Sequence, residues 1–190
     1  MDPQPVFYYD LGSPQCYIVG EAIMSTLPVV PEWEPVLGSQ LPRSERQLPD
    51  PDRSEVERLA DALGLQPLRW PPTSTWPPDT TRAMLAATYA KNIGRGVAFS
   101  LAAFRQTFAG GRDIGDETTV LIAGAACEMH PTALTRGIEL KSTSLALQTA
   151  NLRARAAGVT TLPAIQIRSD IYDGADALLQ ATAALTTQQP

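Results

Sequence analysis

The sequence has one histidine and two cysteines in 190 residues, and nowhere does it run eighteen apolar residues together. Each scarcity excludes something. A single histidine, His130, argues against a histidine-built metal site and excludes the zinc-protease and cytidine-deaminase ligand patterns, so no metal is expected. Cys16 and Cys127 are too few for a disulfide framework. Without a long apolar run there is no membrane span to expect. Basic residues are also in the minority, 15 Lys and Arg against 20 Asp and Glu, for a net charge of −5. With no basic stripe, the chain lacks the electrostatic footprint of a nucleic-acid binder. The opening residues Met1-Asp2-Pro3-Gln4-Pro5 show neither a basic region nor a long apolar stretch, so a cytoplasmic location is expected.

What the chain does have is enough apolar matter for a core. Hydrophobic residues make up 44% and charged residues 18%, a balance that excludes a disordered chain. At 20.4 kDa, surface scaling allows about 70% of the open chain's surface to be buried on folding. The 17 prolines concentrate between Pro28 and Pro78, which predicts a loop-rich region there.

Val6-Phe7-Tyr8-Tyr9 is a short aromatic run bounded by proline and by Asp10-Leu11-Gly12, and it reads as a buried strand. Ser13-Pro14 has the form of a helix N-cap followed by proline at the first helical position. Tyr17, Ile18, Ala22 and Leu27 carry the helix on to Pro28. Trp33 to Leu37 reads as a second strand. A helix is expected from Asp50-Pro51, with Val56, Leu59, Ala60 and Leu63 on one face and Gly64 as its stop. Further helices are expected over 79–92, around Val97, Leu101, Phe104 and Phe108, from Asp116 to about Met129, from Pro131, and from about Glu139 to Ala157. The last forty residues return to strands, at Leu162 to Ile167 and Ile171-Tyr172. A final helix opens at Gly174-Ala175-Asp176 and carries Leu178, Leu179 and Leu185. The order is that of an α/β, thioredoxin-like fold interrupted by a large all-helical insertion. Residues 1–44 and 151–190 form the first part and 45–150 the second.

Four stretches, in order, resemble a known family. Phe7-Tyr8-Tyr9-Asp10-Leu11-Gly12-Ser13-Pro14-Gln15-Cys16-Tyr17 is similar to the opening of the 2-hydroxychromene-2-carboxylate isomerases and kappa-class glutathione transferases, within the DsbA-like thioredoxin superfamily. Trp76-Pro77-Pro78-Asp79-Thr80 with Arg82-Ala83, Phe104 through Asp113-Ile114-Gly115-Asp116, and Gly158 through Pro163 agree with later stretches of the same family. The resemblance implies glutathione or a related low-molecular-weight thiol as cofactor, a small-molecule second substrate, and a homodimer, which is common in that family. It implies an isomerase or transferase in which Ser13 steadies the thiolate. The chain departs from the family pattern at Asp79, where the isomerases usually carry asparagine. It departs again in the loop after the second strand, and at Asp173-Gly174-Ala175-Asp176-Ala177, which lacks the family's arginine and adds Asp173.

Residue chemistry gives each of these positions two readings. A helix start offers unpaired N–H groups and a positive dipole end. A thiolate there has its pKa lowered, and the Ser13 hydroxyl would add a charge-assisted hydrogen bond; the plain alternative is an N-cap. The functional reading requires Ser13 to face an open groove beside Leu162-Pro163. Cys16 occupies the second-cysteine position, but with serine at the first a dithiol–disulfide cycle cannot close. Cys16 is therefore either a small packing residue or the sulfur of a single-cysteine, DsbA-type thiol-disulfide oxidoreductase. Cys127 reads as core packing. A strand entered through Pro163 is unusual. In thioredoxin-like folds the bond is cis, leaving the backbone of Leu162 to pair with a peptide-like thiol. The N–H groups of Gly174, Ala175 and Asp176 would hold the γ-glutamyl carboxylate of glutathione, and Asp176 its ammonium; the alternative is capping by Asp173 or Asp176. Trp76 and Asp79 would line the second-substrate side of the cleft, against loop packing for Trp76 and an N-cap for Asp79. A non-catalytic relative that binds a ligand or partner stays open as a third reading.

Overall fold

The computed structural model describes residues 4–43, 52–71 and 78–187. Strand β1 is Val6–Tyr9 and helix α1 is Pro14–Thr26, capped by Ser13. Strand β2 is Glu32–Pro35, shorter at its C-terminal end than expected because Val36 and Leu37 turn into a short 3-10 segment at Gly38–Gln40. The helical region holds α2 (Arg53–Ala62), α3 (Thr81–Asn92), α4 (Gly96–Phe104), α5 (Glu117–Ala126), α6 (Pro131–Glu139) and α7 (Lys141–Ala157). The chain closes with β3 (Ala164–Ile167), β4 (Asp170–Asp173) and α8 (Ala177–Thr187). The strand order is β2-β1-β3-β4, with β1 and β2 parallel and the other two pairings antiparallel. This is a mixed thioredoxin-like sheet, with the helical region entering after β2 as expected. Helix α7 runs without a break through position 150 and packs on α3, α6 and β2.

The sheet buries aromatic residues toward α1 and α4. Phe7, Tyr9 and Trp33 form one cluster, with ring centroids 5.0–5.5 Å apart. Tyr9 reaches on to Phe104 of α4, and its hydroxyl pairs with Ser100 Oγ at 2.6 Å. Tyr8 alternates to the other face, where its hydroxyl donates to Gln166 Oε1. Period-2 alternation of this kind is what one strand shared between two packed layers requires. Gly137 brings α6 so close to α3 that a Cβ there would lie 2.5 Å from the Tyr89 ring.

Several expectations along the helical region shift. The cap of α2 is Asp52, whose carboxylate accepts from Glu55 N–H; Asp50-Pro51 lies outside the described residues. Val56 and Ala60 are buried, but Leu63 is 47% exposed because it is the C-cap residue, outside the periodic face. The four residues that mark this helix divide, with Phe104 and Phe108 buried, Leu101 half-buried and Val97 exposed. Phe99, Ser100 and Ala103 are buried as well, and the helix loosens into a π-helical turn over Arg105–Ala109 that returns Phe108 to the core. Helix α5 stops at Ala126, three residues before Met129. His130 caps α6, its Nδ1 accepting from Thr132 N–H. Leu179 is exposed, and Ala177 and Ala181 are the residues that α8 buries. Among the described residues no helix is long and apolar enough to cross a membrane, and no cluster of metal-ligating side chains occurs.

Candidate thiol-binding site

The first turn of α1 follows from its sequence. Ser13 takes an extended backbone (φ −90°, ψ 119°) and its Oγ accepts from Cys16 N–H at 3.2 Å. Pro14 fills the first helical position, where its missing donor costs nothing. No acidic residue stands in that turn, so the positive end of the helix dipole is not opposed from within α1.

Behind the turn lies a residue that the sequence reading treated only as a strand boundary. Asp10 is 3% exposed and its carboxylate accepts three hydrogen bonds. Oδ1 takes Gly12 N–H at 2.9 Å; Oδ2 takes Gly38 N–H at 2.8 Å and the Thr80 hydroxyl at 3.0 Å. One side chain thus ties the start of α1 to the turn after β2 and to the entry of α3. Loss of solvent raises the pKa of Asp10, while its three donors pull the other way. A Cβ on Gly12 would lie 2.6 Å from Thr80 Cγ2 and 3.1 Å from Pro78 Cγ, so the helical region sits directly on this loop.

Across from α1, the Leu162-Pro163 peptide is cis, as expected. The Leu162 side chain touches the same clamp: a Cβ on Gly38 would lie 3.5 Å from Leu162 Cδ1 and 3.4 Å from Asp10 Oδ2. Among the described residues nothing hydrogen-bonds the N–H or C=O of Leu162. That stands out, because Leu162 is only 6% exposed and buried backbone polar groups are almost always paired. The start of α8 lies beyond it. Ala175 and Asp176 are exposed, and their N–H groups and the Asp176 carboxylate bond no described residue.

Some expectations do not hold. Ser13 has no exposed surface, whereas the functional reading expects its hydroxyl to face an open groove. The capping geometry folds its oxygen over the helix, and Oε1 of the half-buried Gln15 lies 3.5 Å from Ser13 Oγ. Gly174 does not offer its N–H to an anion, since it donates to Pro163 C=O at 2.9 Å. Nor does Asp173 cap α8; its carboxylate turns back to Thr160 and Thr161. Asp79 is exposed and accepts from Thr81 N–H at the start of α3, in keeping with a capping role. Trp76 lies outside the described residues. Cys16 is fully buried, and neither it nor Cys127 is in a disulfide.

Neither a protein-family model nor a curated protein sequence matches the chain. Solved structures do. A 2-hydroxychromene-2-carboxylate isomerase superposes at a TM-score of 0.82 with 14% identity, over 97% of this chain and 95% of the other. A probable DsbA oxidoreductase from Streptomyces coelicolor gives 0.77 and 17%, over 98% and 92%. The cytosolic disulfide reductase DsbM from Pseudomonas aeruginosa, solved with GSH, gives 0.69 and 16%, over 98% of both chains. The chain therefore has the DsbA-like thioredoxin fold: a four-stranded mixed sheet with a helical insertion.

Proposed function

We propose that this protein is a thiol-dependent enzyme that binds glutathione, or another low-molecular-weight thiol, between the start of α1 and the Leu162 edge. The observation that supports the reading is the backbone of Leu162, whose N–H and C=O have no hydrogen-bond partner among the described residues at a nearly buried position. The main chain of a short peptide would satisfy both, adding itself as one antiparallel strand residue. The exposed N–H groups of Ala175 and Asp176 lie at a helix start, where a carboxylate is favoured, and the Asp176 carboxylate is available to an ammonium. The sulfur would then lie at the first turn of α1, where a thiolate is stabilised.

The Ser13 hydroxyl, which lies 3.5 Å from Gln15 Oε1 and has no exposed surface, would donate to the thiolate only once thiol binding uncovers it. As an isomerase, the enzyme would add the thiolate to an activated double bond. Rotation about the bond, now single, followed by expulsion of the same thiolate leaves an isomerised product and the thiolate as it began. A transferase would keep the carbon–sulfur bond and protonate the adjacent carbanion. Disulfide exchange through Cys16 is disfavoured by serine at position 13, with which a dithiol–disulfide cycle cannot close; burial does not separate the two, since Ser13 and Cys16 both lack exposed surface. The test is calorimetry with glutathione, S-methylglutathione and smaller thiols. Saturable binding of glutathione, with a bound thiol that ionises at lower pH than the free one, supports the reading. Absence of binding by every thiol overturns it.

A further inference from the structure

The turn after β4 holds the residues on both sides of Leu162 and leaves Leu162 itself untouched. Asp173 is paired with Ala164 across the β3–β4 ladder. Its Oδ2 accepts from Thr160 N–H at 3.1 Å, from the Thr160 hydroxyl at 2.7 Å and from Thr161 N–H at 3.2 Å. The next residue, Gly174, has a φ of +88° that suits glycine. Its N–H donates to Pro163 C=O at 2.9 Å. From the far side, Arg43 N–H donates to Thr160 C=O at 2.8 Å.

The usual use of an aspartate just ahead of a helix is to cap that helix. Here it reaches back 13 residues to the approach of β3. Three donors on one carboxylate oxygen fix two successive residues of a loop that no strand pairing fixes. The segment is gripped through Thr160 N–H and C=O, Thr161 N–H and Pro163 C=O, whereas neither the N–H nor the C=O of Leu162 is bonded among the described residues.

We propose that Asp173 is a positioning residue for thiol binding: it holds Thr160-Thr161 so that the Leu162 N–H and C=O are presented, already ordered, to the main chain of the bound thiol. The proposal rests on the reading above and adds to it a residue that never touches the ligand. Preorganisation of this kind acts on affinity, since an ordered loop does not lose conformational freedom on binding.

The experiment compares wild type, Asp173→Ala, Asp173→Asn and Thr160→Val by calorimetry with glutathione, and by KM and kcat once a co-substrate is in hand. Asn keeps an acceptor for the two backbone N–H groups. Asp173→Ala should weaken glutathione binding about tenfold, the worth of one to two net hydrogen bonds, and should raise KM for the thiol with kcat at saturating thiol unchanged. Asp173→Asn should recover most of the affinity. Thr160→Val, which removes only the hydroxyl donor, should lie between wild type and Asp173→Ala. Equal affinity in folded Asp173→Ala and wild type overturns the proposal while leaving the binding site standing. So does a loss in Asp173→Asn as large as in Asp173→Ala. If Asp173→Ala does not fold, Thr160→Val decides by the same comparison with wild type. If wild type itself binds no thiol, the proposed function fails and this inference with it.

Discussion

Ser13 can be separated from its capping duty by the choice of replacement. Both Ser13→Ala and Ser13→Gly delete the hydroxyl. Alanine at an N-cap costs about 1 kcal/mol, glycine only a few tenths. For a chain of this length 1 kcal/mol moves the midpoint of thermal unfolding by about 2–4 °C, so alanine should lower it by a few degrees and glycine by little. Turnover should not follow that order. A hydrogen bond to a charged partner contributes roughly 1.5–3 kcal/mol, and each 1.4 kcal/mol is a factor of ten. Both variants should therefore lose about 10- to 100-fold in thiol-dependent turnover. The bound thiol, followed by the ultraviolet absorbance of its thiolate, should ionise about one to two pH units higher than in wild type. The buried state of Ser13 makes the comparison sharp, because in the free protein its oxygen does nothing visible except accept from Cys16 N–H and lie near Gln15. If Ser13→Gly keeps wild-type turnover while Ser13→Ala loses both stability and rate, Ser13 is a cap and the serine-assisted mechanism is refuted.

Two further outcomes follow from buried groups. Cys16→Ala should retain thiol-dependent turnover within about twofold and cost roughly 1 kcal/mol as a small core truncation; abolished activity would instead make Cys16 the reactive sulfur. Asp10 should leave a signature in stability against pH. Its folded pKa is raised, chiefly by loss of solvent, so the folded state binds the proton more tightly than the unfolded state does. Its contribution is complete below the unfolded pKa, near 3.9 for an ordinary aspartate, and is lost as pH rises through the folded pKa. Asp10→Asn should be less stable overall, by about 1–3 kcal/mol, because an amide must set an N–H against the donor Gly12 or Gly38. Its thermal midpoint should nonetheless fall less steeply than wild type over that pH interval; parallel curves would show that Asp10 does not carry the dependence.

Local signals in the sequence placed most elements and missed what depends on distant partners. Ser13-Pro14, Asp116, Pro131 and Gly158 mark helix ends through chemistry within a few residues, and the structure uses each of them that way. Val97, Leu101, Phe104 and Phe108 located a helical stretch but not the π-helical turn over Arg105–Ala109 that carries Phe108 into the core. Leu63 and Leu179 are apolar yet exposed, since apolar type alone does not show which side of a helix meets the sheet. The entry of β3 through proline was legible. The open backbone of Leu162 was expected only from the likeness to thioredoxin-like folds, because an unpaired group is defined by neighbours that come from elsewhere in the chain.

The two carboxylates that shape the site show the same limit most clearly. In a sequence, Asp10 before Leu-Gly and Asp173 before Gly are ordinary turn aspartates, each with a local partner to expect. Asp10 does make one such bond, to Gly12. Its other two partners are 28 and 70 residues away, and those of Asp173 are 12 and 13 residues back. No periodicity encodes such contacts; they exist only once β1, β2 and β3 lie side by side. The proposed site would then have walls held from behind, by Asp10 on the α1 side and by Asp173 on the β3 side. Neither carboxylate needs to touch a ligand to matter. A substitution at either should then act on how well the thiol is held before any chemistry begins, whereas a substitution at Ser13 should act on the charge that the sulfur carries afterward.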